Sequence, residues 1–127
     1  MENHDFSFEK LRVYQATRQL VKDVYVLVKK LPAIENFALS SQIRRAVVSI
    51  SANIAEGSGR NHPKDKAHYI DIAYGSLMET YSELVTAADL EYLTEQEVLD
   101  IKPQFVDIGK MLSGLRSSFL GPNNDNR

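Results

Sequence analysis

The sequence predicts an all-α protein, an antiparallel up-down-up-down four-helix bundle. Apolar residues recur at steps of three and four along nearly the whole chain, which is the period of one helix face. No segment alternates apolar and polar residues as a half-buried strand does. The connections between the periodic segments are short, and short connections favour antiparallel neighbours in a bundle. A chain of 127 residues fits one domain. We expect that domain over residues 1–120, followed by a disordered tail at 121–127.

The first two helices are predicted at residues 8–31 and 37–56. Pro32 ends the first helix, because the residue before a proline avoids the helical conformation. The second helix carries a polar stripe beside its apolar stripe, so we expect it to be covered on more than one side. This helix is predicted to end at Gly57-Ser-Gly59, which is the signal of a glycine C-cap.

The third helix is predicted at residues 63–90. Pro63 suits the first turn of a helix, where its missing N–H has no intrahelical partner in any case. Either Asn61 or His62 would then be the cap, and Asp65 places a negative charge near the positive end of the helix dipole. Two apolar stripes run side by side along this helix, so it too is expected to be covered on more than one side.

The fourth helix is predicted from Thr94 to about Leu120. Thr94 and Glu97 match a capping box, in which each side chain bonds the backbone N–H near the other residue. Apolar residues then follow at steps of three and four from Val98 onward. Pro103 lies within this pattern and is expected to kink the helix or to separate its first turns.

The polar stripe of the second helix predicts a hydrogen-bonded network. Polar residues recur there at steps of four, four and three, and buried polar side chains must bond one another. The predicted network consists of Arg45, Ser49, Asn53 and Glu56, with Ser76 and Glu79 of the third helix as partners. Such a network would fix the register of helices or the orientation of subunits. Two alternatives remain open for the same stripe: a polar pocket for a small ligand, and the active site of an all-α enzyme.

The second apolar stripe of the third helix predicts self-association. It consists of Tyr74, Met78, Tyr81 and Val85. A monomeric bundle needs only one apolar stripe on each helix, and large apolar patches are rare on soluble monomers. We therefore expect a homo-oligomer with these residues at its interface.

The charges are unevenly distributed. Between Lys10 and Lys66 there are eleven Lys or Arg and four Asp or Glu, whereas the interval from Asp71 to Asp107 has nine Asp or Glu and only Lys102. A ring would turn the basic half into a continuous band able to meet RNA or DNA. The candidate nucleic-acid-binding residues are Arg12, Arg18, Lys22, Lys29, Lys30, Arg44, Arg60, Lys64 and Lys66. The alternative is that these are ordinary solvated helix faces.

The composition predicts neither catalysis nor a cofactor. The chain has no cysteine and only three histidines, and it lacks the Glu-x-x-His motifs of di-iron bundles, so we expect no metal site. The glycines at 57 and 59 follow a helix and precede no Lys-Ser/Thr pair, so they lack the context of a phosphate-binding loop. No apolar run approaches a membrane span and the N-terminus does not resemble a signal peptide. We expect a cytoplasmic protein with no membrane partner.

The central motif also resembles a known family. The segment from Gln42 to Arg60, followed by Tyr69 and by Ala73 to Glu79, is similar to the signature of the 23S rRNA intervening-sequence proteins. The resemblance covers about residues 8–120 and implies a four-helix bundle that forms a ring, typically a homopentamer. These proteins are similar in fold to the accessory variability determinant of diversity-generating retroelements, which works with nucleic acid and is strongly basic, whereas this chain has a net charge of −2.

Taken together, these observations predict a non-enzymatic oligomeric binding or scaffold module, with nucleic acid bound through a basic face as the first candidate partner. A scaffold that binds only protein, and an all-α enzyme acting at the polar stripe, are the alternatives. Two observations distinguish nucleic-acid binding from catalysis. A basic rim binds polyanions and releases them in salt, whereas an enzyme has a closed pocket with carboxylates of perturbed pKa.

Overall fold

The computed structural model describes residues 6–122, and four long helices account for most of them. They are α1 (Arg12–Val28), α2 (Leu39–Ser58), α3 (Pro63–Asp89) and α4 (Glu95–Leu120), with short 3₁₀ helices at Ser7–Lys10 and Ala33–Glu35. This part of the chain contains no strand, so the predicted all-α class is confirmed. Apart from Gly121 and Pro122, the predicted tail lies outside the described residues.

The four helices form a closed square in cross-section. Each helix packs against the next one along the chain and α1 also packs against α4, whereas within residues 6–122 no Cα atoms of the diagonal pairs α1–α3 and α2–α4 lie within 8 Å of each other. The resulting core is fully enclosed and draws on all four helices. Its most deeply buried large side chains include Leu20, Val24, Ile43, Ile50, Ile54, Leu77, Leu84, Ile108 and Leu112. Burial of this apolar surface is the main stabilising contribution to the fold.

Neighbouring helices are antiparallel. In the α3–α4 pair, Asp71 bonds Arg116 near the end of α4, and Tyr81 contacts Phe105 closer to its start. In the α2–α3 and α1–α4 pairs, contacting residues likewise descend along one helix as they ascend along the other. The connections are therefore at alternating ends of the bundle, which gives the up-down-up-down order.

The first helix is shorter than predicted at both ends, because it ends at Val28 rather than Leu31 and its first turn is a separate element. Ser7–Lys10 is a 3₁₀ helix, and Leu11 then adopts an extended backbone (φ −71°, ψ 130°) before α1 begins at Arg12. Phe8, which lies in this turn, packs edge-on against Tyr14 with ring centroids 4.8 Å apart. The apolar period alone does not reveal this break, since Phe8 still contacts the helix that follows.

Of the two glycines that predict the C-cap of α2, Gly59 is the cap and Gly57 is not. The helix α2 continues through Gly57 to Ser58 and is capped by Gly59, whose backbone is right-handed (φ −84°). A Cβ at Gly57 would lie 3.0 Å from both the Lys66 carbonyl oxygen and the Tyr69 Cβ. Glycine is required here because α2 and α3 approach closely, not because the backbone turns.

The fourth helix begins as predicted. The Thr94 hydroxyl accepts a bond from the Glu97 N–H at 3.1 Å, and the Glu97 carboxylate accepts one from the Thr94 N–H at 2.9 Å. Pro103 lies on the exposed side of α4, and the helix runs through it without interruption. Of its two predicted effects, separation of the first turns is therefore wrong. A proline is tolerated here because the carbonyl that it leaves unpaired is on the exposed side of the helix.

Candidate functional site

A polar groove lies between the first half of α2 and the middle of α3. It has a volume of about 470 Å³. Its lining consists of Phe37, Ala38, Ser41, Gln42, Arg45, Ala46, Ser49, Ser76 and Glu79. Four of the six residues predicted to form the polar network thus line one groove. The groove follows from sequence, because the polar stripe of α2 faces α3 beside the apolar stripe that fills the core.

Three of the six predicted residues bond one another, and two of them, Ser49 and Ser76, line this groove. The Asn53 amide donates to the Ser49 carbonyl at 2.8 Å and to the Ser49 hydroxyl at 2.9 Å. The Ser76 hydroxyl donates to the Ser49 hydroxyl at 2.9 Å, which links α3 to α2. Ser76 is buried, and Ser49 and Asn53 are half-buried. We refer to these three residues as the serine–asparagine network.

The three charged residues of the predicted network stand outside it. Arg45, Glu56 and Glu79 are all exposed. Glu56 forms a surface ion pair with Arg60 at 3.6 Å, and Arg45 has no hydrogen-bond or ionic partner within residues 6–122. The arrangement provides a positive and a negative side chain at the rim of an open groove, over a neutral hydrogen-bonded base.

Glu83 lies on the same helix as Glu79, one turn further on, and sequence analysis did not single it out as a site residue. Burial raises the pKa of its carboxyl group, and the negative charge of Glu79 raises that pKa further. One of its oxygens is buried and has no hydrogen-bond partner among the residues that the structure describes. The only sequence signal for this residue is its spacing of four from another glutamate, which is common on acidic helices.

A second groove, between α3 and α4, is apolar and open. It has a volume of about 610 Å³. It is lined by Tyr74, Met78, Tyr81, Lys102, Phe105, Val106, Gly109, Lys110 and Ser113. Three of the four predicted interface residues lie in it, and the fourth, Val85, lines a smaller depression next to it that also contains Tyr81. Tyr74, Met78 and Val85 are exposed, and Tyr81 is partly buried against the core.

The nine candidate nucleic-acid-binding residues are divided between several surfaces. Arg60 and Lys66 belong to the α2–α3 end of the bundle and already have partners, since Arg60 bonds the Tyr69 hydroxyl at 2.6 Å and Lys66 the Ser58 carbonyl at 2.9 Å. At the opposite end, Lys30 forms an ion pair with Glu97, and Arg44 donates to the Asn36 carbonyl at 3.3 Å. The set does not form one continuous patch on a single copy.

One basic stripe on α1 has no competing partners. Arg18, Lys22 and Lys29 are exposed and recur at steps of four and seven, so they share the outer face of the helix. Among the described residues, none of the three has a hydrogen-bond or ion-pair partner. Arg12 and Lys64 are also exposed and unpaired in this part of the chain, but they lie at the end of the bundle that contains the start of α1 and the α2–α3 turn.

The connection between α1 and α2 carries two apolar side chains in solvent. Phe37 is 99% exposed and Ile34 is 83% exposed. The sequence predicted Ile34 in a short connection and Phe37 at the start of the second helix, whereas α2 begins at Leu39 and leaves Phe37 outside it. The available signal was the presence of two large apolar residues within five positions after Pro32.

Within residues 6–122, no group of three or more His, Asp or Glu side chains is placed to hold a metal ion. In the same range, no helix combines the length and apolar character that a membrane crossing requires.

Comparison with known proteins gives one family and one informative structure. The model of the 23S rRNA-intervening sequence protein family matches residues 9–114. Four chains of solved structures match. One is the crystal structure of a protein of unknown function from the S23 ribosomal protein family of Bacteroides thetaiotaomicron VPI-5482. It is 27% identical with a TM-score of 0.74, and the match covers 82% of this chain and 97% of that one. No curated protein matches.

Proposed function

The chain belongs to the 23S rRNA-intervening sequence protein family, and we propose that it is a non-enzymatic, homo-oligomeric binding module of the cytoplasm. The observation that carries this proposal is the open apolar groove between α3 and α4. Its surroundings expose Tyr74, Met78, Val85, Leu99 and Val106 on one side of the bundle. Copies of the chain join through this surface, and five copies in a ring are the number that the family resemblance favours.

The physical argument for self-association is the cost of leaving this surface in water. Each of these side chains is between about one third and one half exposed, and they form one continuous strip along two adjacent helices. Burial of apolar surface contributes about 25 cal/mol per Å², so covering several such side chains supplies a favourable term of several kcal/mol. Contiguous apolar patches of this kind usually mark an interface.

The serine–asparagine network supports the same proposal in a structural role. It ties Ser76 of α3 to Ser49 of α2 through neutral hydrogen bonds, so it fixes the register of two helices at low cost in desolvation. A fixed register matters for a ring, because every copy must present the same surface at the same angle. The charged side chains at the rim of the polar groove, Arg45 and Glu79, then remain available to contact a further partner.

A second candidate function is nucleic-acid binding, and the basic stripe of α1 favours it. Arg18, Lys22 and Lys29 face solvent without carboxylate partners in the described range. The stripe lies on α1, diagonally across the bundle from α3, so self-association through the α3–α4 groove leaves it accessible. A ring would repeat it once per copy, and repeated phosphate contacts add in affinity.

Sedimentation velocity at micromolar concentration tests self-association. The wild-type chain is expected to sediment as an oligomer, and Met78→Asp is expected to sediment as a monomer or to associate much more weakly. Ile72→Asp is the matched control, because Ile72 lies on the same helix with 38% exposure against 43% for Met78. A monomeric wild type would contradict the proposal, as would equal loss of assembly in both variants.

Fluorescence anisotropy tests nucleic-acid binding. Single-stranded RNA and duplex DNA are titrated at about 50 mM and about 200 mM salt, because phosphate contacts weaken steeply over this range. Replacing Arg18, Lys22 and Lys29 together by Glu is expected to abolish binding, whereas the same change at Arg12, Arg60 and Lys64 is expected to leave most of it. Absence of binding by the wild type at low salt favours a scaffold that binds only protein.

A further inference from the structure

We propose that the segment at residues 32–38 of one copy inserts Phe37 into the α3–α4 groove of the next copy, so that the chain assembles head to tail. We call this segment the Phe37 loop. The inference rests on the proposed function, since it identifies which surface of a second copy fills the groove. Four features of the described residues support it: the exposure of Phe37, the rigidity of its loop, the shape of the groove and the charges around both.

The Phe37 loop presents its aromatic side chain in a fixed position. Phe37 is 99% exposed, although its loop is tightly bonded. The Glu35 carboxylate accepts bonds from the Tyr92 hydroxyl at 2.9 Å and from the Leu39 N–H at 3.3 Å, and Arg44 donates to the Asn36 carbonyl at 3.3 Å. A loop held on both sides loses little conformational entropy on binding, which makes an exposed aromatic residue an effective anchor.

The α3–α4 groove has room for such an anchor. Tyr74, Met78 and Phe105 line it together with Val106, and Gly109 on α4 adds no side chain. A Cβ at Gly109 would lie 3.5 Å from the Tyr74 ring and 3.6 Å from Leu77, so the absence of a side chain leaves the floor of the groove open. A Phe side chain buries roughly 150–250 Å² on insertion, which a groove of about 610 Å³ accommodates.

The charges of the two surfaces are complementary. Lys102 and Lys110 lie in the lining of the groove, and the Lys102 ammonium is 5.6 Å from the centre of the Tyr81 ring. The ionisable side chain within the Phe37 loop is Glu35, so the loop carries a negative charge opposite the two lysines of the groove. Complementary charges at the rim orient a contact and speed its formation.

The positions of the two surfaces favour a ring over a symmetric dimer. The Phe37 loop joins α1 to α2, whereas the groove lies between α3 and α4, on the opposite edge of the square. A copy therefore cannot fill its own groove. A contact between two different patches is heterologous, and it repeats from copy to copy until the ring closes. A groove-to-groove contact would instead bury two like patches and stop at two copies.

Cross-linking of single-cysteine variants tests this pairing directly, because the natural chain has no cysteine. Asn36→Cys marks the loop without removing Phe37, and Val106→Cys marks the groove. The two variants are mixed, allowed to exchange subunits and treated with a short bis-maleimide. We expect cross-linked dimers in the mixture and none with either variant alone.

The other outcomes separate this inference from the proposed function. Cross-links within Val106→Cys alone would indicate a groove-to-groove contact, and an oligomer without any cross-link would indicate a contact elsewhere. Both would overturn the loop-to-groove pairing while leaving self-association in place. A wild-type chain that sediments as a monomer would overturn self-association itself.

A substitution at the anchor provides the second measurement. Phe37→Asp is expected to weaken self-association at least about 30-fold, which is the effect of losing an aromatic hot spot. Because Phe37 is almost wholly exposed within one copy, the variant is expected to keep its helical content. Val26→Asp is the control, since Val26 is an apolar residue on α1 with 57% exposure. Unchanged assembly in Phe37→Asp would overturn the inference.

Discussion

Helix α3 is packed closely on its α2 side and loosely on its α4 side. Toward α2, Gly57 brings the backbones so close that a single added carbon would lie 3.0 Å from α3, and Ser49 and Ser76 bond across the contact. Toward α4, Gly109 faces Tyr74 across ordinary van der Waals distances, and an apolar groove remains open above. Both contacts contain a glycine, yet only one of them is complete within a single chain.

The difference indicates which contact belongs to folding and which belongs to assembly. Where α2 and α3 are close-packed at Gly57 and hydrogen-bonded through Ser49 and Ser76, the contact gains little from a further partner. The side chains that line an open apolar groove lack dispersion contacts on one side and expose apolar surface that a partner can bury. The α2–α3 contact is therefore expected to control the stability of each copy, and the α3–α4 groove to control how copies associate.

The sharpest test of this comparison makes the same substitution in both contacts. Gly57→Ala is expected to lower the free energy of unfolding by about 1–2 kcal/mol, because overpacking costs about 1–3 kcal/mol and is only partly offset by better helix propensity. Gly109→Ala is expected to raise it by about 0.5–1 kcal/mol, because its added carbon meets no steric conflict. Chemical denaturation at fixed protein concentration measures both.

Gly75→Ala serves as the reference for helix propensity alone, since within residues 6–122 no atom outside the neighbouring helix backbone lies within 4 Å of a Cβ there. If Gly57→Ala proved as stabilising as Gly75→Ala, the close approach of α2 and α3 would not constrain the fold. The proposal that the α2–α3 contact controls stability and the α3–α4 groove controls assembly would then be contradicted.

The next test compares two members of the polar stripe. Asn53→Ala removes two hydrogen bonds to Ser49 and is expected to cost about 1 kcal/mol. That loss corresponds to a fall of a few degrees in melting temperature for a domain of this size. Glu56→Ala breaks only an exposed ion pair with Arg60, so it is expected to leave stability unchanged. Thermal melts followed by circular dichroism distinguish the two outcomes, and an equal loss in both variants would place Glu56 inside the network after all.

The fold was predictable because its signals are local. The capping box of Thr94 and Glu97 depends on residues within one turn, and apolar periodicity identifies the buried faces. Gly57 was misassigned because a glycine that ends a helix and one that admits a neighbouring helix look the same in sequence. The second requirement depends on α3, which approaches from elsewhere in the fold.

The site was less predictable because its residues differ by small rotations. Glu56 lies three positions after Asn53, which is about 60° around the helix, and this rotation separates an exposed ion pair from a half-buried hydrogen bond. The exposure of Phe37 was even harder to predict from the sequence. Apolar residues in a connection usually pack onto the core, and only the tertiary structure shows that this one does not.

The smallest expected effect is a pH dependence on the α2-facing side of α3. Burial raises the pKa of Glu83 above its ordinary value of 4.5, and the charge of Glu79 raises it further. A raised pKa in the folded state means that the protonated form is favoured by folding. The favourable contribution of the Glu83 carboxyl group to the free energy of unfolding is fully present below about pH 4.5 and is lost as the pH rises through the raised pKa. Glu83→Gln is therefore expected to be slightly more stable than the wild type at pH 7.5 and no more stable at pH 4.

Glu97→Gln is the matched control, with a pH dependence of opposite sign. The hydrogen bond from Lys30 is the main cause that lowers the pKa of Glu97, and the bond to Thr94 adds to it. The favourable contribution of the Glu97 carboxylate to the free energy of unfolding is present above the ordinary pKa of a glutamate and is lost as the pH falls through the lowered pKa. Glu97→Gln should thus be less stable than the wild type at pH 7.5 and closer to it in acid. Unfolding by guanidinium chloride at both pH values measures the two differences at one protein concentration, because assembly also affects apparent stability. If Glu83→Gln followed the same pH trend as Glu97→Gln, the Glu83 carboxylate would be stabilised by a partner, and the α2-facing side of α3 would not be the self-contained contact inferred above.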